Sequence, residues 1–344
     1  MALFRVTQRL ILASEIFACF ILILTLSGML YEQIGRRQDR SRYPQIGRSV
    51  DIGGRKLNIF CSGEGDPTVV FDSGGHTAGY SWITIQPAIA KLTRACWYDR
   101  AAYGWSDPGP IPRTPKAVAN DLHALLQAAN IAPPYVLVGA SVAGFNIRVY
   151  NGLYADEVAG AVLVSASDPD AFAHSPAYMK GPLASLPSFI RKFGCQVAAP
   201  ILLNVGLLRL MGNPGSGQPF GMENLRSDQQ RELSFLSRNP ATVRGGEGCD
   251  LDEVTAEVRA AGDFGDRPLV VLASLRPFPA PAGGRYQQAA DAFNYYWSHQ
   301  LQPHLAALST RGELVLTEDA ERDEPIIQAV SRAVNDVRGI RSKQ

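Results

Sequence analysis

Seven short apolar runs recur along this chain, at Lys56–Phe60, Pro67–Gly74, Ala95–Asp99, Tyr135–Ala140, Gly160–Ala166, Pro268–Ser274 and Glu313–Glu318. Helical patterns separate most of them. Thr114 stands ready to cap one such helix, with Pro115 at its first position and Val118, Leu122, Leu125, Leu126 and Ala129 along one face. Others run through "WITIQPAIAKL", from about Arg285 to Leu308, and from Pro325 with Ile326, Val330, Ala333 and Val337 on one side. Runs such as "YVLVGA" and "GAVLVSA" read as strands buried on both faces. Strands alternating with helices predict an α/β fold, with a mostly parallel central sheet and right-handed crossovers.

One interval breaks the alternation. Between Asp170 and Asp266 come "FIRKFGCQVAAPILLNVGLLRLMG", the Gly/Pro-rich "GNPGSGQPFG", a polar helical stretch and "RGGEG". This reads as a helical lid, residues 170–266, inserted into a core made of 48–169 and 267–344. The stretch "AAPILLNVGLLRLMG" is too short to span a bilayer and carries Asn204 and Arg209. It packs over a pocket or lies against lipid.

The N-terminus departs from a soluble pattern. Between Arg9 and Glu32 lie 22 residues with one ionisable group, Glu15, enough to cross a bilayer as a helix. A cleaved signal peptide competes, since "LTLSG" offers small residues at Thr25 and Ser27. The apolar run is long for that purpose, however, and no A-x-A site follows. The expectation is an uncleaved anchor at 10–31, a basic linker at 32–47, and a single-pass membrane protein with the bilayer as a partner. Its sidedness stays open. Arg36, Arg37, Arg40 and Arg42 after the span favour a cytoplasmic domain, whereas signal-anchor precedent favours an external one.

A formal net charge of +1 and the lack of any basic run with interleaved aromatics argue against nucleic acid as a partner. The five cysteines have no metal-type spacing, and nothing calls for a metal or cofactor. Cys61 and Cys96 read as buried small apolar residues in strands, and Cys195 and Cys249 as a pair that could bridge in an exported domain.

The sequence "YVLVGASVAGFNIRVY" places Ser141 at the apex of a sharp strand-to-helix turn. "GASVA" matches the nucleophile elbow G-x-S-x-G with Ala143 in the last position. With "DSGGHTAGYSW" and "YDRAAYGWSDPGP" after earlier strands, the chain from Val50 to its last helix resembles the α/β-hydrolase family. The resemblance implies Ser141 as nucleophile and an oxyanion hole from the backbone N–H groups of Val142 and Gly75.

It also implies a histidine after the last strand, but that loop reads "LTEDAERDEP" and places Glu318 or Asp319 at the expected position. An acid is missing too. "LRPFPAPAGG" has no carboxylate, and Ser165 stands where close relatives would carry Asp. Asp168 offers a substitute acid, and His76 and His174 are candidate surrogate bases; His123, His299 and His304 read as surface or packing residues. A carboxylate such as Glu318 could serve only if burial raised its pKa. Two functions follow: a membrane-anchored serine hydrolase of esters or amides, with a hydrophobic acyl ligand favoured, or a hydrolase-fold scaffold that has lost hydrolysis.

Overall fold

All seven apolar runs become strands of one eight-stranded sheet: β1 (Arg48–Asp51), β2 (Lys56–Ser62), β3 (Thr68–Asp72), β4 (Ala95–Tyr98), β5 (Tyr135–Ala140), β6 (Val158–Val164), β7 (Leu269–Ser274) and β8 (Gly312–Thr317). The computed structural model describes residues 2–180, 187–198, 201, 204–210, 221–237, 250–281 and 284–342. The strand order is β1-β2-β4-β3-β5-β6-β7-β8. β2 runs antiparallel to β1 and β4, and every other pairing is parallel. β1 is the strand the apolar pattern did not reveal. It is a short edge with one buried residue, Val50, so it carries almost no hydrophobic signal.

Helices cover both faces, which is why β3, β5 and β7 are buried at every position. On one face α2 (Gln86–Ile89) and the closing helix pack Ile89, Ile326, Val330 and Val334 against Phe71, Val138 and Val164. On the other, α3 (Pro115–Ala128) and α4 (Ala143–Leu153) set Leu122, Leu125, Phe145 and Ile147 against Leu137, Leu163 and Val271. Thr114 caps α3 as expected, its hydroxyl accepting from Ala117 N–H. The helix expected through "WITIQPAIAKL" is instead a 3₁₀ turn, Gly79–Trp82, followed by α2.

Between β6 and β7 the described segments are α5 (Ala171–His174), α6 (Ser188–Phe193), α7 (Leu207–Leu210), α8 (Ser227–Leu236) and α9 (Leu251–Ala260). Val254 and Val258 of α9 pack into the core beside α3 and α4, so α9 extends the helical layer. "RGGEG" and nearly all of "GNPGSGQPFG" lie outside the described residues. After β7, α10 (Gln287–Tyr296) passes through a π turn at Trp297–Leu301 into α11 (Gln302–Ala306). Pro303 lacks an N–H and crowds the preceding turn, which accounts for this irregularity. The chain closes with α12 (Asp323–Arg341).

The apolar N-terminal segment is part of one helix, α1, Ala2–Arg42. It contains a span, Ile11–Arg42, long and apolar enough to cross a membrane, with mean hydropathy 2.1 in its apolar window. Helix continues past the apolar stretch, where Arg36 pairs with Glu32 one turn earlier at 2.8 Å.

The cysteine reading needs correction. Cys61 and Cys96 sit opposite each other on β2 and β4 and form a disulfide. The strand-like runs suggested two buried small apolar residues; Cys96 is buried and Cys61 partly so, and a run in the sequence cannot show which strands become neighbours. The pairing considered for Cys195 and Cys249 falls outside the described residues, since Cys249 is not among them.

Candidate active site

β5 ends at Ala140, and Ser141 takes φ +53° before α4 begins. That backbone is costly for a residue with a side chain and persists only where its surroundings fix it. Ser141 N–H donates to Val164 O at 2.9 Å, and Ser141 O accepts from Gly144 and Ser167 at 3.1 and 3.0 Å. Small neighbours make the turn possible. A Cβ at Gly139 would come within 2.5 Å of Ile147 Cδ1, and one at Gly144 within 2.7 Å of Ala166 Cβ. Ala143 is fully buried in the first turn of α4, where its Cβ is accommodated.

The two expected oxyanion donors are brought together. A Cβ at Gly75 would lie 3.2 Å from Val142 Cγ2, so the loop after β3 touches the residue following Ser141. Neither N–H, of Gly75 or Val142, forms a hydrogen bond among the described residues. The Gly75 N–H is also aimed. Arg100, itself buried, donates to Asp72 Oδ1 at 2.7 Å, to Ser73 O, and to Gly74 O at 2.9 Å. Asn146 of α4 holds the other Asp72 oxygen at 2.8 Å. The Gly74–Gly75 peptide is planar and trans, so fixing its carbonyl toward Arg100 turns its N–H the opposite way.

The carboxylates of the last loop separate by environment. Glu318 is exposed, whereas Glu321 lies half-buried three residues later. Burial pushes the Glu321 carboxyl up to about 7, reinforced by the negative charges of Glu223 and Asp319. The opposing influence is Ser165, whose hydroxyl lies near enough to favour the charged form. Ser165 Oγ is buried and makes no hydrogen bond of ordinary length, so this contact is long. Ser165 directly follows Val164, the acceptor of the Ser141 N–H, and has φ +43°. Glu321 therefore comes to the strand end beside the elbow. Sequence counting pointed to Glu318 or Asp319. Ala320, just before Glu321, is buried in the core and donates its N–H to Ser274 Oγ at 2.8 Å.

The other candidates lie elsewhere. Asp168 is buried, accepts Asp170 N–H at 2.8 Å and meets an imidazole at 2.8 Å. That imidazole is His304 of α11, whose side chain is 56% exposed. His174 bonds Asp170 O in its own turn and packs on Tyr296. His76 is exposed at φ +55° in the oxyanion loop. His123 stacks on Tyr154 and pairs with Glu157, and His299 bonds Ser298. No hydrogen bond joins Ser141 Oγ to any of these groups among the described residues. A cavity of about 540 Å³, lined by Arg48, Cys61, Arg94 and Ile131, opens at the other end of the strands and has no part in this cluster.

Part of the segment between β6 and β7 bonds to the loops after β3 and β8. Ser237 Oγ accepts Ala78 N–H at 3.1 Å, Tyr80 donates to Glu232 of α8 at 2.8 Å, and Asn224 donates to Glu321 O at 2.8 Å. The segment from Asn224 to Ser237 thus ties the loop after β3 to the loop that carries Glu321. No group of His, Cys, Asp and Glu suited to holding a metal occurs among the described residues.

Comparison with known proteins agrees with this architecture. Residues 67–200 match the family model for the alpha/beta hydrolase fold. A protein named "Probable transporter efuK" from Hormonema carpetanum is 32% identical over 135 residues, covering 37% of this chain and 19% of that protein. An uncharacterized vacuolar membrane protein of Saccharomyces cerevisiae is 36% identical over 102 residues, 28% of this chain and 16% of its own length. The chain thus spans less than a fifth of these two relatives. Among solved structures, an enol-lactonase from Burkholderia xenovorans has a TM-score of 0.52 at 15% identity, with 86% of this chain and 98% of that one covered. A haloalkane dehalogenase variant from Bradyrhizobium elkanii reaches 0.56 at 17%, again covering 86% and 98%. Elbow, sheet order and matched segment together give this chain the alpha/beta hydrolase fold.

Proposed function

We propose that this protein is a membrane-anchored serine hydrolase of esters or amides, with Ser141 as nucleophile and Glu321 as its general base. The observation carrying this is what gathers at the C-terminal ends of β5 and β6: a strained serine, two unbonded N–H groups beside it, and, near Ser165 after β6, a carboxyl pushed up to about 7. A serine hydroxyl needs a base, and a base works best when its pKa lies near the working pH. Glu321 supplies that match without an imidazole.

In the reaction, Ser141 Oγ attacks the acyl carbon while its proton passes to the Glu321 carboxylate. The carbonyl π pair moves onto oxygen, and the N–H groups of Gly75 and Val142 hold the resulting oxyanion. Collapse breaks the bond to the alcohol or amine, which takes the proton from Glu321. Water, deprotonated by the same carboxylate, then releases the acid and restores Ser141. Asp168 with His304 serves here as a clamp between the β6 loop and α11.

The globular domain faces an oxidising compartment. The Cys61–Cys96 disulfide supports this placement, since such bonds persist outside reducing cytosol. A fluorophosphonate probe tests the assignment: labelling should be lost in Ser141→Ala. Absence of Ser141-dependent labelling, with no turnover of short p-nitrophenyl esters, would leave the scaffold reading in its place.

A further inference from the structure

The segment that reaches α1 leaves several large apolar side chains exposed. One stripe of α1, Gly28, Glu32, Gly35 and Asp39, follows the helical repeat and receives the lid residues Val205 and Arg209. A Cβ at Gly28 would lie 2.4 Å from Val205 O, and one at Gly35 2.6 Å from the Arg209 guanidinium. Arg209 pairs with Glu32 and Asp39, both at 2.9 Å. The apolar stretch of α1 ends at Tyr31, so Val205 sits against its last apolar turn and Arg209 against the polar turns that follow.

This fixes the depth of the lid. From Glu32 to Arg42 the helix rises about 15 Å, so the domain stands off the span by that distance while the lid reaches back to its edge. Near that edge the lid leaves Ile201, Leu207 and Leu210 exposed, and earlier in the same segment Phe189, Ile190 and Phe193. Leu210 is 73% exposed and Phe189 69%, both large apolar groups. The other end of α1 leads to the site. Tyr43 stacks on Phe235 of α8 with ring centres 5.7 Å apart, and Arg40 lies over Trp105. α8 and its flanking residues hold the oxyanion and Glu321 loops, as described above.

We propose that the exposed apolar side chains of Phe189, Ile190, Phe193, Ile201, Leu207 and Leu210 rest in the bilayer interface beside α1, and that the site takes an acyl ester resident in that bilayer. The occupant of the apolar face is lipid, because the face is continuous with the membrane-crossing helix and ends on an arginine held at its polar boundary. Amphipathic surfaces of this kind bind the region between headgroups and acyl chains. The membrane contact rests on α1 being an anchor, and the substrate class rests also on the hydrolase reading above.

The test uses the full chain in phosphatidylcholine nanodiscs. In a background of Cys19→Ser, Cys195→Ser and Cys249→Ser, Leu210→Cys is labelled with an NBD fluorophore, and Gly53→Cys, on an exposed hairpin turn of the globular domain, serves as the aqueous control. The expected result is blue-shifted emission from position 210, quenched by doxyl-labelled lipid, with neither effect at position 53. Emission from 210 matching the control would overturn the membrane contact whatever the enzyme does. For substrate class, Phe189→Glu combined with Leu210→Glu should lower turnover of a fluorogenic long-chain ester in the nanodisc about tenfold or more, leaving p-nitrophenyl acetate turnover nearly unchanged. Equal loss on both esters, or on neither, would overturn it. If the unaltered chain cleaves neither ester, the hydrolase reading and the substrate class fall, while the fluorophore still decides the membrane contact.

Discussion

Replacing Glu321 with glutamine should make the protein more stable and less active at the same pH. The carboxyl moves from 4.5 to about 7 on folding, mainly because it is buried. Ionising it in the folded protein therefore costs on the order of 3 kcal/mol relative to the unfolded chain, less whatever water reaches a half-buried group. A raised carboxyl contributes stability that is complete below pH 4.5 and lost as pH rises to about 7. Glu321→Gln keeps the shape and removes that loss. Thermal unfolding of the full chain in detergent, followed by tryptophan fluorescence, should show no difference near pH 4.5 and a gain of about 1–3 kcal/mol at pH 8, a shift of several degrees. Hydrolysis of p-nitrophenyl acetate should rise with pH through a midpoint near 7 in the unaltered protein, as the base loses its proton. Glu321→Gln should lower it about 10²–10⁴-fold at every pH. His304→Ala, which breaks the other carboxylate contact of the region, should leave that pH midpoint in place. A stability difference equal at both pH values, or a glutamine variant with ordinary turnover, would refute the reasoning.

Arg100→Lys should cut turnover about 10²-fold or more with little change in KM, since a single ammonium cannot hold both the Ser73 and Gly74 carbonyls and the oxyanion donor at Gly75 loses its aim; comparing kcat with KM checks this, and a change confined to KM would contradict it. In a variant carrying Cys19→Ser, Cys195→Ser and Cys249→Ser, Cys61 and Cys96 should resist maleimide-PEG labelling in unreduced denatured protein and accept two labels after reduction, read as a gel shift; labelling of that variant without reductant would remove the support for an oxidising compartment.

The sheet was legible because burial on both faces leaves a continuous apolar run, as in Val136–Val138 or Val270–Leu272. β1 was not, since an edge strand with a single buried residue has no such run. Ser141 was legible because the elbow is local: strand, turn and helix are adjacent in sequence. Its neighbours are not adjacent. Arg100 acts on Gly74 from the end of a different strand, and Cys61 meets Cys96 only after β2 has folded beside β4. Within the acidic loop, five carboxylates look alike as letters. They differ only in which way the backbone turns, and that is decided by where Ala320 is buried and where its N–H goes, to Ser274 Oγ at 2.8 Å.

Two departures from the hydrolase pattern, no histidine in the last loop and Ser165 where an aspartate was expected, are linked by the position of Glu321. A histidine base gains from a neighbouring carboxylate, which orients the ring and stabilises the imidazolium. A glutamate base does not. An aspartate at 165 would set a second negative charge beside Glu321, already raised by Glu223 and Asp319, and two carboxylates sharing one space hold a proton between them well above neutrality. Glu321 would then stay protonated and could accept nothing from Ser141. A serine at 165 removes that charge and leaves a hydroxyl able to donate to the carboxylate, which opposes the effect of burial. The loss of the acid is thus the condition under which a carboxylate can replace the histidine, and the pair of changes describes one altered base more simply than two separate defects.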